Sequence, residues 1–208
     1  MNEHEMNFKF KGDRAYVHGS DIVKEFVNVV AKTDFDFNEN TVLDVKFLRT
    51  THSNLLLTDS TEAEHDACVS FVFLLNGVVQ KKWFALELNK KVNARYEYSE
   101  DLIKKNTNCD VPGEVTCPRI GTYTFIEQII AMTKILNVKD NQEQGSSVKW
   151  FFAGTSINYA SLVSENSGSL RIALAGGIKN RFSKSEIYMN EKKIGVIKFA
   201  SENNQWAT

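Results

Sequence analysis

Phe125-Ile126-Glu127-Gln128-Ile129-Ile130-Ala131-Met132-Thr133-Lys134-Ile135-Leu136 has an apolar stripe at 125, 129, 132 and 136, widened by 126, 130 and 133. This is the 3.6-residue period of a helix with a broad buried face. A polar loop at 138–147 follows it. Strand candidates come next at Val148–Ala153 or slightly beyond, Ser169–Ala175, Ser183–Met189 and Ile194–Ala200.

The same order occurs earlier in the chain. Ser20 is suited to cap a helix over 20–32, with Asp21 in its first turn and Ile22, Val23, Phe26, Val27, Val29 and Val30 at helical spacing. Strand patterns follow at 41–48, 55–57, 69–75 and 78–86, and Asn7–Lys11 with Arg14–His18 reads as two short strands or one broken one. Asn76-Gly77, between two apolar runs, predicts a tight hairpin with positive φ angles. Its counterpart is Asn190-Glu191, 114 residues later, whereas Phe84-Ala85 matches Phe199-Ala200 at an offset of 115. One inserted residue reconciles the two.

Two copies of a helix followed by an antiparallel meander predict an α+β fold. The expected division is a first repeat at 1–88, a connecting segment at 89–118 and a second repeat at 119–208. The connection begins with the charged run Asn89-Lys90-Lys91 and contains a short helix capped by Ser99.

Composition narrows the functional classes. The chain has 208 residues, 42% of them hydrophobic, and 14 are phenylalanine, which excludes a disordered chain. With 25 basic and 26 acidic residues the net charge is −1, so no chain-wide attraction to nucleic acid or an anionic membrane is expected. Met1–Met6 lacks the apolar core of a secretory signal, and no apolar run reaches the roughly 18–20 residues of a membrane span. The expectation is a soluble, cytoplasmic protein. Cys68, Cys109 and Cys117 contain no CxxC pair, which argues for reduced, structural thiols. His65 lies beside Glu64 and Asp66 but lacks a spaced second histidine, so no metal site is expected.

The order of elements resembles the hotdog fold, and its repetition resembles a double hotdog, equivalent to a fused dimer. Such a chain is expected as a pseudo-dimeric monomer or a further homo-oligomer. Within that superfamily, Phe125–Ala131 looks like the acid-bearing helix of beta-hydroxyacyl-thioester dehydratases, with Pro118 and Gly121 in its lead-in and Glu127 in the place of the acid. His18, just before the first helix, stands where the first half of a fused dehydratase supplies its histidine. The resemblance implies a 3-hydroxyacyl dehydratase or hydratase of fatty-acid or polyketide-type metabolism. Its substrate would be a thioester of acyl carrier protein or coenzyme A, and no cofactor would be needed. An acyl thioesterase and a noncatalytic acyl-binding or scaffolding protein are the alternatives.

In the dehydratase reading His18 is the base and Glu127 the acid, and amides near Gly19 and Gly121 polarise the thioester carbonyl. His52, in Thr50–Asn54, is a further substrate-binding candidate. Each has a plainer reading. His18 would bond the helix start, Glu127 would pair with Lys134 or the preceding turn, and His52 would be a loop residue. Ala175-Gly176-Gly177-Ile178-Lys179 lacks the spacing of a phosphate loop and predicts a bulge or turn. Lys179, Arg181, Lys184, Lys192 and Lys193 either keep a sheet edge soluble or meet an acidic carrier protein or a coenzyme A phosphate.

Overall fold

The computed structural model describes residues 3–33, 35, 37–142, 148–164 and 167–202. The chain divides into two units, 1–99 and 100–208.

In the first unit the elements are β1 (Glu3–Met6), β2 (Phe10–Lys11), α1 (Gly19–Val30), β3 (Thr41–Phe47), β4 (Ser53–Thr58), β5 (Val69–Leu75), β6 (Val78–Lys91) and β7 (Arg95–Tyr96). Five of them form an antiparallel sheet in the order β1-β4-β6-β5-β3. Alternation places Leu43 and Val45, Leu55 and Leu57, and Phe71 and Phe73 in the core, facing α1 residues Ile22, Val23, Phe26 and Val30. Phe26 stacks on Phe71 with ring centres 3.8 Å apart. Burying each such ring contributes roughly 1.5–3 kcal/mol, which offsets the poor helix propensity of a valine-rich α1.

Two readings change here. Arg14–His18 is a loop rather than a strand, and only Phe10–Lys11 of the opening pattern pairs, in parallel with β7. The run Asn89-Lys90-Lys91 is the end of β6, with Lys91 opposite Ser53.

The second unit comprises α2 (Asp101–Asn106), β8 (Glu114–Pro118), α3 (Phe125–Gln142), β9 (Trp150–Asn158), α4 (Tyr159–Val163), β10 (Ser169–Ile178), β11 (Phe182–Met189) and β12 (Lys192–Ser201). Its antiparallel sheet runs β9-β12-β11-β10-β8. The α3 side chains Phe125, Ile126, Ile129, Ile130, Met132 and Leu136 are buried. This helix extends through 138–142, where the sequence suggests a loop; residues 143–147 of that stretch lie outside the described residues. Glu114–Pro118, inside the expected connection, is an edge strand on β10. Ser99 does not cap α2; Glu100 is at that position and its carboxylate pairs instead with Lys134 at 3.3 Å.

The hairpins repeat in detail. Asn76 and Gly77 have φ of 52° and 81°, and Asn190 and Glu191 have 49° and 63°. Each return strand then has one extra residue: Gln80 between the pairs Leu74–Val79 and Phe73–Lys81, and Ile194 between Tyr188–Lys193 and Ile187–Gly195. Both bulges obey the offset of 114. So do the ladders beyond them, since Val69 faces Ala85 and Ser183 faces Phe199. The inserted residue inferred from the Phe-Ala pairs is therefore absent from this hairpin, and those pairs occupy positions one residue apart.

Candidate functional site

In the first unit the chain enters α1 through a loop fixed from its neighbour. The amide of Val17 donates to Thr51 O at 2.9 Å, and His52 Nδ1 lies 2.6 Å from Ala15 O. His52 also donates its amide to Glu87 Oε1 at 2.9 Å, and Thr51 donates its hydroxyl to the same oxygen. Desolvation raises the Glu87 carboxyl, but these two hydrogen bonds and the charges of Arg49 and His52 outweigh it and hold the group below its ordinary range. His52 is exposed and braces the loop that delivers His18.

His18 is 8% exposed and occupies the N-cap of α1, followed by Gly19 in its first position. Its Nδ1 lies 2.7 Å from Ser20 Oγ and 3.4 Å from the Ser20 amide. Ser20 Oγ also accepts from Lys11 Nζ at 2.9 Å and lies 3.2 Å from Asp21 Oδ1. A hydroxyl has one hydrogen and two lone pairs. All three Ser20 Oγ contacts are satisfied together in one assignment: Lys11 and His18 Nδ1–H donate to Ser20, and Ser20 donates to Asp21. The 3.4 Å amide contact is the one given up. With Nδ1 protonated in this way Nε2 is the basic nitrogen; with the proton on Nε2 instead, the Ser20 amide bond is kept and the Ser20–Asp21 contact is lost.

Lys11 is fully buried, which requires compensation for its charge. It receives that from Ser20, from Asp21 Oδ1 at 3.2 Å and from the Tyr98 ring, whose centre is 3.9 Å away. Tyr96 donates its hydroxyl to Asp21 Oδ2 at 2.8 Å. The β2–β7 pairing thus brings Lys11 and Tyr96 to the start of α1. The sequence pointed to His18 through the dehydratase resemblance and put the cap at Ser20, two residues later than the structure does; it missed Lys11, whose alternating neighbours marked it only as a strand residue.

In the second unit Glu127 closes a capping box on α3. The Thr124 amide and hydroxyl each donate to Glu127 Oε2 at 2.8 Å, and the Glu127 amide returns to Thr124 Oγ1 at 3.3 Å. This fulfils the expected bond to the preceding turn, whereas Lys134 pairs with Glu100. Gln128, fully buried, is one of the polar residues on the core face of α3. Its Oε1 accepts from the Ile120 amide at 3.1 Å and from Arg119, and its Nε2 donates to Pro118 O at 2.7 Å. Gln128 thereby fixes the lead-in that contains Gly121. That glycine is exposed, and a Cβ there would meet nothing within 4 Å. Burial lowers the pKa of the Arg119 guanidinium, whose Cζ lies 5.5 Å from the Phe125 ring centre.

His18, Gly19 and His52 thus share one region of the first unit, and Glu127 and Gly121 share the start of α3. The Cys68 thiol is pushed up to about 12, chiefly by burial, and donates to Ala85 O at 3.0 Å; it is no nucleophile at neutral pH. No group of three or more metal-ligating side chains occurs among the described residues.

A long helix against an antiparallel meander, present twice in tandem, defines a double-hotdog fold. The chain is similar over 95% of its length to the dehydratase domain of RzxB from Pseudomonas fluorescens, covering 93% of that chain with a TM-score of 0.50 and 8% identity. It is also similar to the dehydratase domain of PpsC from Mycobacterium tuberculosis, solved with C12:1-CoA (TM-score 0.48, 10% identity, 96% of this chain and 92% of that one). A conserved protein of unknown function with a hot dog fold from Alicyclobacillus acidocaldarius gives a TM-score of 0.45 at 7% identity, covering 96% and 92%. No family model and no curated protein matches the sequence.

Proposed function

We propose that the chain acts on acyl thioesters of acyl carrier protein or coenzyme A, as a 3-hydroxyacyl dehydratase or hydratase. A buried histidine at a helix N-terminus carries this reading, because the contact of its Nδ1 with Ser20 Oγ is compatible with the tautomer in which Nε2 is the basic atom. In the forward direction Nε2 removes the α-proton. The electron pair forms the α,β double bond, and the β-hydroxyl leaves as water with a proton from the Glu127 carboxyl. The products are a 2-enoyl thioester and water, and hydration reverses each step. Amides at Gly19 and Gly121 are the proposed donors to the thioester carbonyl, and His52 braces the loop of the base. The fold suits the reading, since the RzxB domain that it resembles is a dehydratase domain. Buried free thiols at Cys68 and Cys117 fit a reducing, cytoplasmic setting. Among the described residues no helix is long and apolar enough to cross a membrane.

A noncatalytic acyl-binding role is the second reading, favoured by the Glu127 carboxylate being engaged in capping α3. The two separate with His18→Ala and Glu127→Gln, the latter retaining a capping-box residue. Loss of about 10²–10⁴-fold in enoyl formation from 3-hydroxyacyl thioesters is expected for His18→Ala. Turnover equal to wild type in both folded variants refutes the site. Saturable acyl binding without turnover supports the second reading, and thiol release from saturated acyl thioesters identifies a thioesterase instead.

A further inference from the structure

We propose that Lys11 is a positioning residue for His18: its buried ammonium fixes Ser20 Oγ, and Ser20 in turn holds the imidazole by Nδ1. This role rests on the reading of His18 as the catalytic base, and it gives a task to a charge that takes no part in the reaction itself. Exposure orders the three residues. Lys11 and Ser20 are fully buried and His18 is 8% exposed, so of these only the histidine offers surface to a ligand. Lys11 therefore acts on a substrate only through another residue.

That residue is Ser20, whose Oγ lies 2.9 Å from Lys11 Nζ and 2.7 Å from His18 Nδ1. An ammonium only donates, so Lys11 occupies one lone pair of the hydroxyl in either tautomer of His18. The other lone pair and the single hydrogen are divided between His18 and Asp21. Removing Lys11 frees a lone pair and loosens the hydroxyl among its staggered positions, and with it the ring that it holds. Stability gives a poor reason for an ammonium here, since desolvation offsets the attraction in a buried ion pair and apolar replacement of such pairs is often neutral.

The chain brings the charge to this point with a separate device. β2 and β7 form a two-stranded sheet of their own, and so small a pairing has little stability alone. Bonds around it lock it in place: the Phe10 amide donates to Ala94 O at 2.8 Å, the Gly12 amide to Tyr96 O at 2.9 Å and the Tyr96 hydroxyl to Asp21 Oδ2 at 2.8 Å. The Tyr98 ring centre lies 3.9 Å from Lys11 Nζ. Together these contacts fix where the ammonium sits, one hydroxyl away from the His18 ring.

The test uses the full chain labelled with ¹⁵N-histidine, its His18 ring signals assigned with His18→Ala, and compares wild type, Lys11→Met, Ser20→Ala and the double variant. Lys11→Met should displace the His18 signals and leave those of His52, whose Nδ1 bonds Ala15 O, in place. In the Ser20→Ala background the same substitution should displace them much less, because the link is already cut. Each single variant should lose about 10–10²-fold in kcat on 3-hydroxyacyl thioesters with KM little changed, the scale of misplacing a catalytic group by about 1 Å. The double variant should be no worse than the poorer single one. If Lys11→Met does not fold, Lys11→Met with Asp21→Asn removes both charges and is compared with Asp21→Asn alone. The proposal is overturned by His18 signals unmoved in Lys11→Met, by an equal displacement of His52 or in the Ser20→Ala background, or by kcat losses that multiply in the double variant. Turnover in His18→Ala equal to wild type refutes the reading of His18 as base, whereas the spectra still decide whether Lys11 acts on its ring.

Discussion

Ser20 Oγ meets three side chains, Lys11, His18 and Asp21, and its single hydrogen can serve either His18 or Asp21. A comparable economy operates at Glu87, where one carboxylate oxygen takes both the Thr51 hydroxyl and the His52 amide. Its lowered pKa has a definite sign. A carboxyl lower in the folded chain than the ordinary value of about 4.3 adds stability that is present above that value and lost as pH falls through the folded pKa. Thermal melts of wild type and Glu87→Gln should therefore differ most near neutrality and draw together as pH falls below about 4.3. A constant difference from pH 7 to 3 would refute the assignment. At this scale the legible residues were those with a local partner: His18 and Glu127 both bond within three positions in sequence. Gln128 was legible in principle, three residues after Phe125 and four before Met132, but the adjacent Glu127 drew the attention that burial assigns to Gln128. Lys11 was hidden because its partners Tyr96 and Tyr98 are distant in sequence.

The two hairpin turns have the same backbone but different chemistry. Asn76-Gly77 places glycine at the second left-handed position, whereas Asn190-Glu191 places glutamate there at φ 63°. A non-glycine residue in that conformation costs roughly 1–2 kcal/mol. Glu191 recovers part of this through an ion pair with Arg171 at 3.1 Å, but the Glu191 side chain is 75% exposed, and such pairs are worth about 0–1 kcal/mol. Glu191→Gly should accordingly raise Tm by about 2–4 °C, and Gly77→Glu should lower it. A lower Tm for Glu191→Gly would show that the ion pair outweighs the strain. Turns and long helices were readable because their signals are local. β1 was not, since Glu3-His4-Glu5-Met6 buries only Met6 and an edge strand needs no apolar alternation. The end of α3 was missed because the helix continues through buried Asn137, a polar residue that reads as loop.

Over the whole chain the charges nearly cancel, with a sequence pI of about 6.4. Solubility should pass through a minimum near pH 6.4 and rise on either side, as turbidity or precipitation assays would show; a minimum elsewhere would mean that bound ions or shifted groups set the balance. The tandem organisation was legible because helix and meander recur in order, while the exact register was not: the repeated Phe-Ala pair is one residue away from the structural equivalence. The ladders supply the correct frame, with Val69 to Ala85 and Ser183 to Phe199 as spans of equal length, each carrying one bulged residue at the same place. In the language of recombination these are matched cassettes. Exchanging one for the other changes neither the chain length nor the phase of the strands outside it, so the duplicated kink makes the two hairpins interchangeable in frame, even though scarcely a side chain is shared between them.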